Sequence, residues 1–424
     1  MSNQIGSLKM GQKLKKTPAG EIPVDWGVAT ISDLCQVNPE VIKESTPPDA
    51  QLKYIDIASI ERTGSISIPK DMKFKDAPSR ARRIVKAGDI IVSTVRPYLK
   101  AFARITDLSE NIVASTGFAV LRARPNVNGG YVYQHVLSDT FVKYLEEKMT
   151  GSSYPAVNSS DVAEYQMPVP TAQEQENIGR ILSDVDILID NVDAEIEKTK
   201  ELKKSLMCQL LTHGIGHKKF KKTKIGKIPV DWRESRLGEL VYVRYGLGQP
   251  PVADPNGVLM IRATNIKGNK IVENDILRVN RETLPLNRKP FLEEGDIIVV
   301  RSGVNTGDVA LVTKIWAGAV AGYDLVISPS SRISPAYCVE YLLSENAQAY
   351  FSSQSARSAQ PHLNAQQVSF MPIPLPSLPE QKKIAAISQE VDKVIDREEK
   401  GLEKVVELKK SLMSMLLTGK VRVN

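Results

Sequence analysis

Cysteine is scarce in this 424-residue chain, with Cys35, Cys208 and Cys338 far apart and odd in number. Such a set cannot build a disulfide framework, so a reducing compartment is expected. No apolar run reaches the ~18 residues of a membrane helix, and the opening MSNQIGSLKMGQKLKK lacks the apolar core of a secretory signal. The expected location is the cytoplasm, with no membrane partner. Catalytic signatures are missing too. The Gly-Lys pairs at 226–227 and 419–420 are followed by Ile228 and Val421, so no phosphate-binding loop is formed. No Asn/Asp-Pro-Pro-aromatic motif of an amino-methyltransferase and no nucleophile-base pairing is legible.

What is present is an ordinary folded composition, 42% apolar and 25% charged, with a net charge of +7 that tolerates a polyanionic partner. The chain is also a duplication. KKTPAGEIPVDW at 15–26 recurs as KKTKIGKIPVDW at 221–232, and ELKKSLM at 201–207 recurs at 407–413, both displaced by 206. Gly88-Asp89-Ile90-Ile91-Val92 returns as Gly295-Asp296-Ile297-Ile298-Val299, and the proline tract before Glu174-Gln175 returns before Glu380-Gln381. One unit therefore occurs twice.

Before each proline tract, short β-rich runs (Ile90 to Val95, Ile112 to Arg122, Asp296 to Val300, Val309 to Thr313) alternate with Gly, Pro, Asn and Ser, with helices over Val132–Lys148 and Ala336–Ser352. After it, both copies turn Pro- and Gly-poor and helical. Apolar residues there alternate in steps of three and four: Ile181, Val185, Leu188, Leu202 and Leu206 in the first copy, and Ile387, Val391, Val394, Leu408 and Leu412 in the second. Leu182, Ile189, Ile196 and Leu210 widen the first stripe. Each helix spans 38 residues, 174–211 or 380–417, hence ~57 Å. Helices this long need a partner for their stripes, so the two are expected to pair as an antiparallel coiled coil if an approximate two-fold axis relates the units. The expected fold is α+β: mixed domains over 1–168 and 214–372, with spacer helices over 169–213 and 373–424. The heads would then sit at opposite ends of a rigid rod.

EIPVDW and KIPVDW, GDIIVSTVRP and GDIIVVRSGVNTG, PLPSLPEQKKI, and LKKSLMSMLLTGKVRV follow one another in a layout that closely resembles the specificity subunit of type I restriction-modification enzymes. The resemblance covers nearly the whole chain. It implies two target-recognition domains reading a bipartite, asymmetric site in double-stranded DNA. It also implies docking of two modification (methyltransferase) subunits and of restriction (translocase/endonuclease) subunits. Adenine methylation, cleavage and S-adenosylmethionine binding would belong to those partners, with no catalytic residue and no cofactor on this chain. The other readings are the recognition part of a fused restriction enzyme and a coiled-coil adaptor with no nucleic-acid role.

Base reading needs fork or amide donors on exposed loops. The loop after the first GDIIV offers Arg96, Tyr98 and Lys100, and the loop after the second offers Arg301, Ser302, Asn305 and Thr306. A second pair of loops carries Tyr154 in one half and Gln360 and His362 in the other. Asn158 and Asn364 coincide in register there, which suggests a turn or cap. Basic clusters suited to phosphate include Lys70, Lys73, Lys75, Arg80, Arg82 and Arg83, with Arg262, Lys267, Lys270, Arg288 and Lys289 in the second domain. The lysine-rich linker 218–224 reads as a solvated tether, and Trp26 and Trp232 as core anchors. A metal site on Cys208, His213 and His217 is rejected, because Ser414 and Gly419 replace the first two in the other copy.

Overall fold

The computed structural model describes residues 13–67, 70–106, 110–151, 154–249, 251–355 and 362–423. The chain divides into two compact units, residues 1–193 with 400–424, and residues 194–399. This division cuts both long helices, so each unit holds one half of each, unlike a division into heads and spacers.

The first unit is built on a four-stranded antiparallel sheet in the order Phe102–Arg104, Ile90–Ser93, Phe118–Ala123, Cys35–Val37. The second repeats that order with Val309–Leu311, Ile297–Val299, Leu325–Pro329 and Val241–Tyr245. The GDIIV motif explains why this strand is central. Its glycine turns the chain with φ +91° at Gly88 and +92° at Gly295, a region that side chains disfavour. Its aspartate is buried and pins another strand of the same sheet: Asp89 accepts from Arg122 Nε and Nη2 at 2.8 and 2.7 Å, and Asp296 from Arg244 Nη2 at 2.8 Å. Its apolar run then alternates between two cores. Ile90 and Val92 pack with Tyr131, Val132 and Phe141 on the helical side, while Ile91 packs with Ile55, Ile112 and Ala114 on the other. Ile297 and Val299 against Ile298 and Val300 divide in the same way.

That other face is a second, mixed sheet. In the first unit its order is Lys70–Lys73, Gln51–Ile55, Ile112–Ser115, Ala81–Ile84, with the middle pair parallel. In the second it is Leu277–Val279, Ala253–Ile261, Val320–Ala321, the last two parallel. The expected run Ile112 to Arg122 is thus two strands in different sheets, broken at Thr116 and Gly117. The expected helix Val132–Lys148 is likewise two, Gly129–Leu137 and Asp139–Lys148. Ser138 ends one and caps the next, accepting from Phe141 N at 3.2 Å. In the second copy the helices are Pro335–Leu342 and Glu345–Ser355, with Ser344 accepting from Ala347 N.

The Glu-Gln pair after each proline tract fastens the long helix to its sheet domain. Glu174 and Glu380 accept from the indole nitrogens of the buried Trp26 and Trp232 at 3.1 and 3.0 Å. Gln175 and Gln381 donate to Pro170 and Pro376 carbonyls at 3.1 and 3.0 Å and accept from Asn128 N and Ser334 N. A basic side chain completes each site. Arg422 ion-pairs with Glu174, and His217 Nε2 lies 2.9 Å from Glu380. The lysine-rich linker is no free tether, because Phe220–Thr223 pairs with Gly226–Pro229 in a hairpin, as Leu14–Thr17 does with Gly20–Pro23.

The long helices span Ala172–His213 and Leu378–Leu416 and run antiparallel. In one unit Lys409 pairs with Asp186, and in the other Lys203 Nζ donates to both oxygens of Asp392 at 2.7 Å. Within the second unit Lys200 also pairs with Glu399 at 3.0 Å, so going back along one helix goes forward along the other. The buried line of the first helix is Leu182, Ile196 and Leu210, with Ile189 half-buried and Lys203 in the same heptad column. This corrects the expected seam. Leu188, Leu202, Ile387 and Leu408 are 48%, 66%, 36% and 53% exposed. Ile181, Val185, Leu206, Val391, Val394 and Leu412 are half-buried at its flank. The physical reason is that each helix packs against its sheet domain as well as its partner. The domain draws in Leu182 and Leu210, which in the sequence reading only widen the stripe: Leu182 enters one core with Ile178, Leu416 and Leu417, and Leu210 the other with Met207, Leu211 and Ile384.

Candidate nucleic-acid interface

In each unit the two loops singled out from the sequence meet. Val95 bridges Ala156, and the Thr94 carbonyl accepts from Val157 N at 2.9 Å. In the second unit Ser302 bridges His362, and the Arg301 carbonyl accepts from Leu363 N at 2.8 Å. Asn158 and Asn364 begin the short helices Ser159–Ala163 and Ala365–Ser369 with capping boxes, Asn364 Oδ1 accepting from Gln367 N at 2.8 Å. The strand end, the loop and the capped helix therefore form one joint, repeated twice.

The side chains on the two joints differ. In the first, Arg96 is exposed, has a left-handed backbone with φ +48°, and lies 5.3 Å from the centre of the Tyr154 ring, itself 74% exposed. Tyr98 is 41% exposed. Lys100 is a correction: its own left-handed turn sends Nζ back to Asp139 Oδ1 at 2.6 Å and the Leu137 carbonyl at 3.2 Å, so it braces a helix junction. In the second joint Arg301 lies 4.8 Å from the centre of Tyr245 and 4.3 Å from that of Tyr323, and its Nη2 is hydrogen-bonded to His362 Nε2. Desolvation, and then the Arg301 charge, lower the His362 imidazole below its ordinary range, leaving Nε2 as an acceptor. Arg301 N donates to Asp324 Oδ1 at 3.3 Å, a buried carboxyl raised by desolvation. Asn305 is exposed, Ser302 is half-buried, and Thr306 Oγ1 donates to the Gly303 carbonyl at 2.7 Å to close the turn. Gln360 lies outside the described residues.

Of the basic clusters, Arg80 is exposed. Arg82 is half-buried over Phe74 at 5.7 Å, with Nη1 donating to its neighbour's carbonyl. Lys73 and Lys75 share Asp49 at 3.3 and 3.0 Å, Arg262 pairs with Asp275, and Lys270 with Asp396. Part of each cluster's charge is locally answered. His217 is engaged with Glu380, His213 Nδ1 with Thr212, and Cys208 is exposed. Among the described residues no group of His, Cys, Asp and Glu is arranged for a metal, and no helix is long and apolar enough to cross a membrane. The sequence reading missed Tyr245 and Tyr323. Each stands on or beside a strand far from Arg301 in the chain, and only the sheet order brings them to it.

A family model, the type I restriction modification DNA specificity domain, matches residues 23–201 and 229–408. The putative type I restriction enzyme MjaX specificity subunit of Methanocaldococcus jannaschii is 30% identical over 433 residues, 97% of each chain. The type I restriction enzyme MjaVIII specificity subunit of the same organism is 30% identical over 288 residues, 66% of this chain and 68% of that one. The crystal structure of a type I restriction-modification system S subunit from M. genitalium shares the fold, with a TM-score of 0.54 at 17% identity over 96% of this chain and 99% of that one. With the match falling twice on a duplicated scaffold, the chain belongs to the type I restriction-modification DNA specificity family.

Proposed function

We propose that this chain reads a bipartite, asymmetric DNA sequence for a type I restriction-modification complex, each repeat addressing one half-site. One observation carries this reading: the same strand order is used twice, and the joint at its loop end is occupied by Arg96 and Tyr154 in one copy and by Arg301, Tyr245, Tyr323 and His362 in the other. A repeated scaffold with different donors at equivalent places suits two different short sequences. The paired helices act as the ruler between half-sites, four residues of helix corresponding to ~6 Å. The chain performs no chemistry alone. Methyltransferase subunits supply S-adenosylmethionine and methylation, restriction subunits supply cleavage, and the complex works in the cytoplasm.

The test is to map modified bases on a random-sequence DNA library treated with the chain alone and with its modification subunits. The expected result is no modification by the chain alone, and an interrupted, asymmetric motif from the complex. Modification by the chain alone would point to a fused enzyme. Binding without a steep fall in affinity as salt rises would point to an adaptor.

A further inference from the structure

We infer that Arg301 reads a guanine in the half-site addressed by residues 214–372, with Tyr245 and Tyr323 as positioning residues that hold its guanidinium plane. The inference rests on the DNA-specificity reading and adds the residue and the base.

The surroundings of Arg301 set it apart from the three arginines that brace the scaffold. Arg122, Arg244 and Arg422 are each neutralised by a buried carboxylate, Asp89, Asp296 and Glu174 respectively. Among the described residues Arg301 makes no ion pair. Its guanidinium contacts two aromatic rings and one imidazole nitrogen. Those rings are 48% and 52% exposed, and Val304 at the tip of the same loop is fully exposed, so the clamp opens to solvent. Its backbone is fixed on both sides, the amide on Asp324 and the carbonyl on Leu363 N. Nε is buried without a partner, so packing on the ring faces and the Nη2 hydrogen bond to His362 hold the fork in its orientation.

A pre-oriented planar fork that makes no ion pair matches an edge that offers two acceptors side by side. In the major groove guanine offers O6 and N7, whereas adenine pairs an acceptor with a donor. Stacking on both rings lowers the rotamer entropy lost on contact. A phosphate could also accept from this fork, but that contact would carry no sequence preference.

The test uses the full chain in complex with its modification subunits, with modified bases mapped on a random library. R301K keeps the charge and removes the fork. It should relax one guanine position in one half-site, lowering discrimination there by about 10-fold or more, and leave the other half-site unchanged. Y323F, which keeps the ring, should retain the motif, and Y323A should relax the same position. An R301K complex with an unaltered motif, or one slowed equally on every sequence, overturns the inference. If R301K fails to assemble, 7-deazaguanine at that position in DNA given to the wild-type complex removes N7, and should lower methylation by about 10-fold or more there; an unchanged rate overturns the inference. A wild-type complex with no sequence preference would instead overturn the underlying DNA-specificity reading.

Discussion

Single carboxylates carry much of the local order. Glu174 is 3% exposed, and it holds the Trp26 indole and the Arg422 guanidinium, which also grips Asp25. Replacing Arg422 by alanine strands a buried charge and should destabilise the first unit by about 3–5 kcal/mol in thermal or denaturant unfolding, more than Asp25→Ala would. The equivalent carboxylate, Glu380, meets His217 instead, so the two copies fill the same socket with different side chains. A second case is His135, 4% exposed with Nε2 unpartnered, where burial lowers the imidazole to about 3. Above its ordinary value of about 6.5, folded and unfolded chains both hold it neutral. Below that value only the unfolded chain takes up the proton, so stability falls as pH drops from 6.5 towards 3. The loss approaches about 1.4 kcal/mol per pH unit. His135→Phe should flatten this part of the stability profile, and an unchanged acid slope would contradict the assignment.

Where the sequence marks an element by local pattern, it can be read directly. The glycine-aspartate turn before each central strand, the Asn158 and Asn364 caps and the tryptophan anchors all fall within a few residues of chain, and the structure has them where the repeat places them. The helix seam was less legible. A three-four alternation permits neighbouring stripes, and which one is buried depends on the sheet domain packed alongside. Ile196→Asp should therefore cost about 3 kcal/mol or more, while Leu202→Asp, on the exposed flank, should stay within about 0.5 kcal/mol in unfolding measurements. Lys203 and Asp392 occupy an otherwise apolar seam, as Lys409 and Asp186 do at the matching place. Partly buried pairs add little net stability but penalise other alignments. Exchanging the two residues, Lys203→Asp with Asp392→Lys, should restore most of the stability that either single change removes.

The molecule taken whole is a duplication whose scaffold stayed constant while its loop joints diverged. The duplication is plain in the sequence because motifs recur at one displacement. The second-joint clamp is hidden there because Tyr245, Arg301 and Tyr323 become neighbours only through the strand order. Lengthening both long helices by four residues, at equivalent points, should change the unread gap between half-sites and leave both half-sites intact, as read from the methylated motif. The most direct measurement replaces residues 244–370 with the equivalent segment of a relative and maps the modified bases on DNA. The account predicts that one half of the recognised sequence changes while the other half is kept. A change in both halves, or in neither, would contradict it.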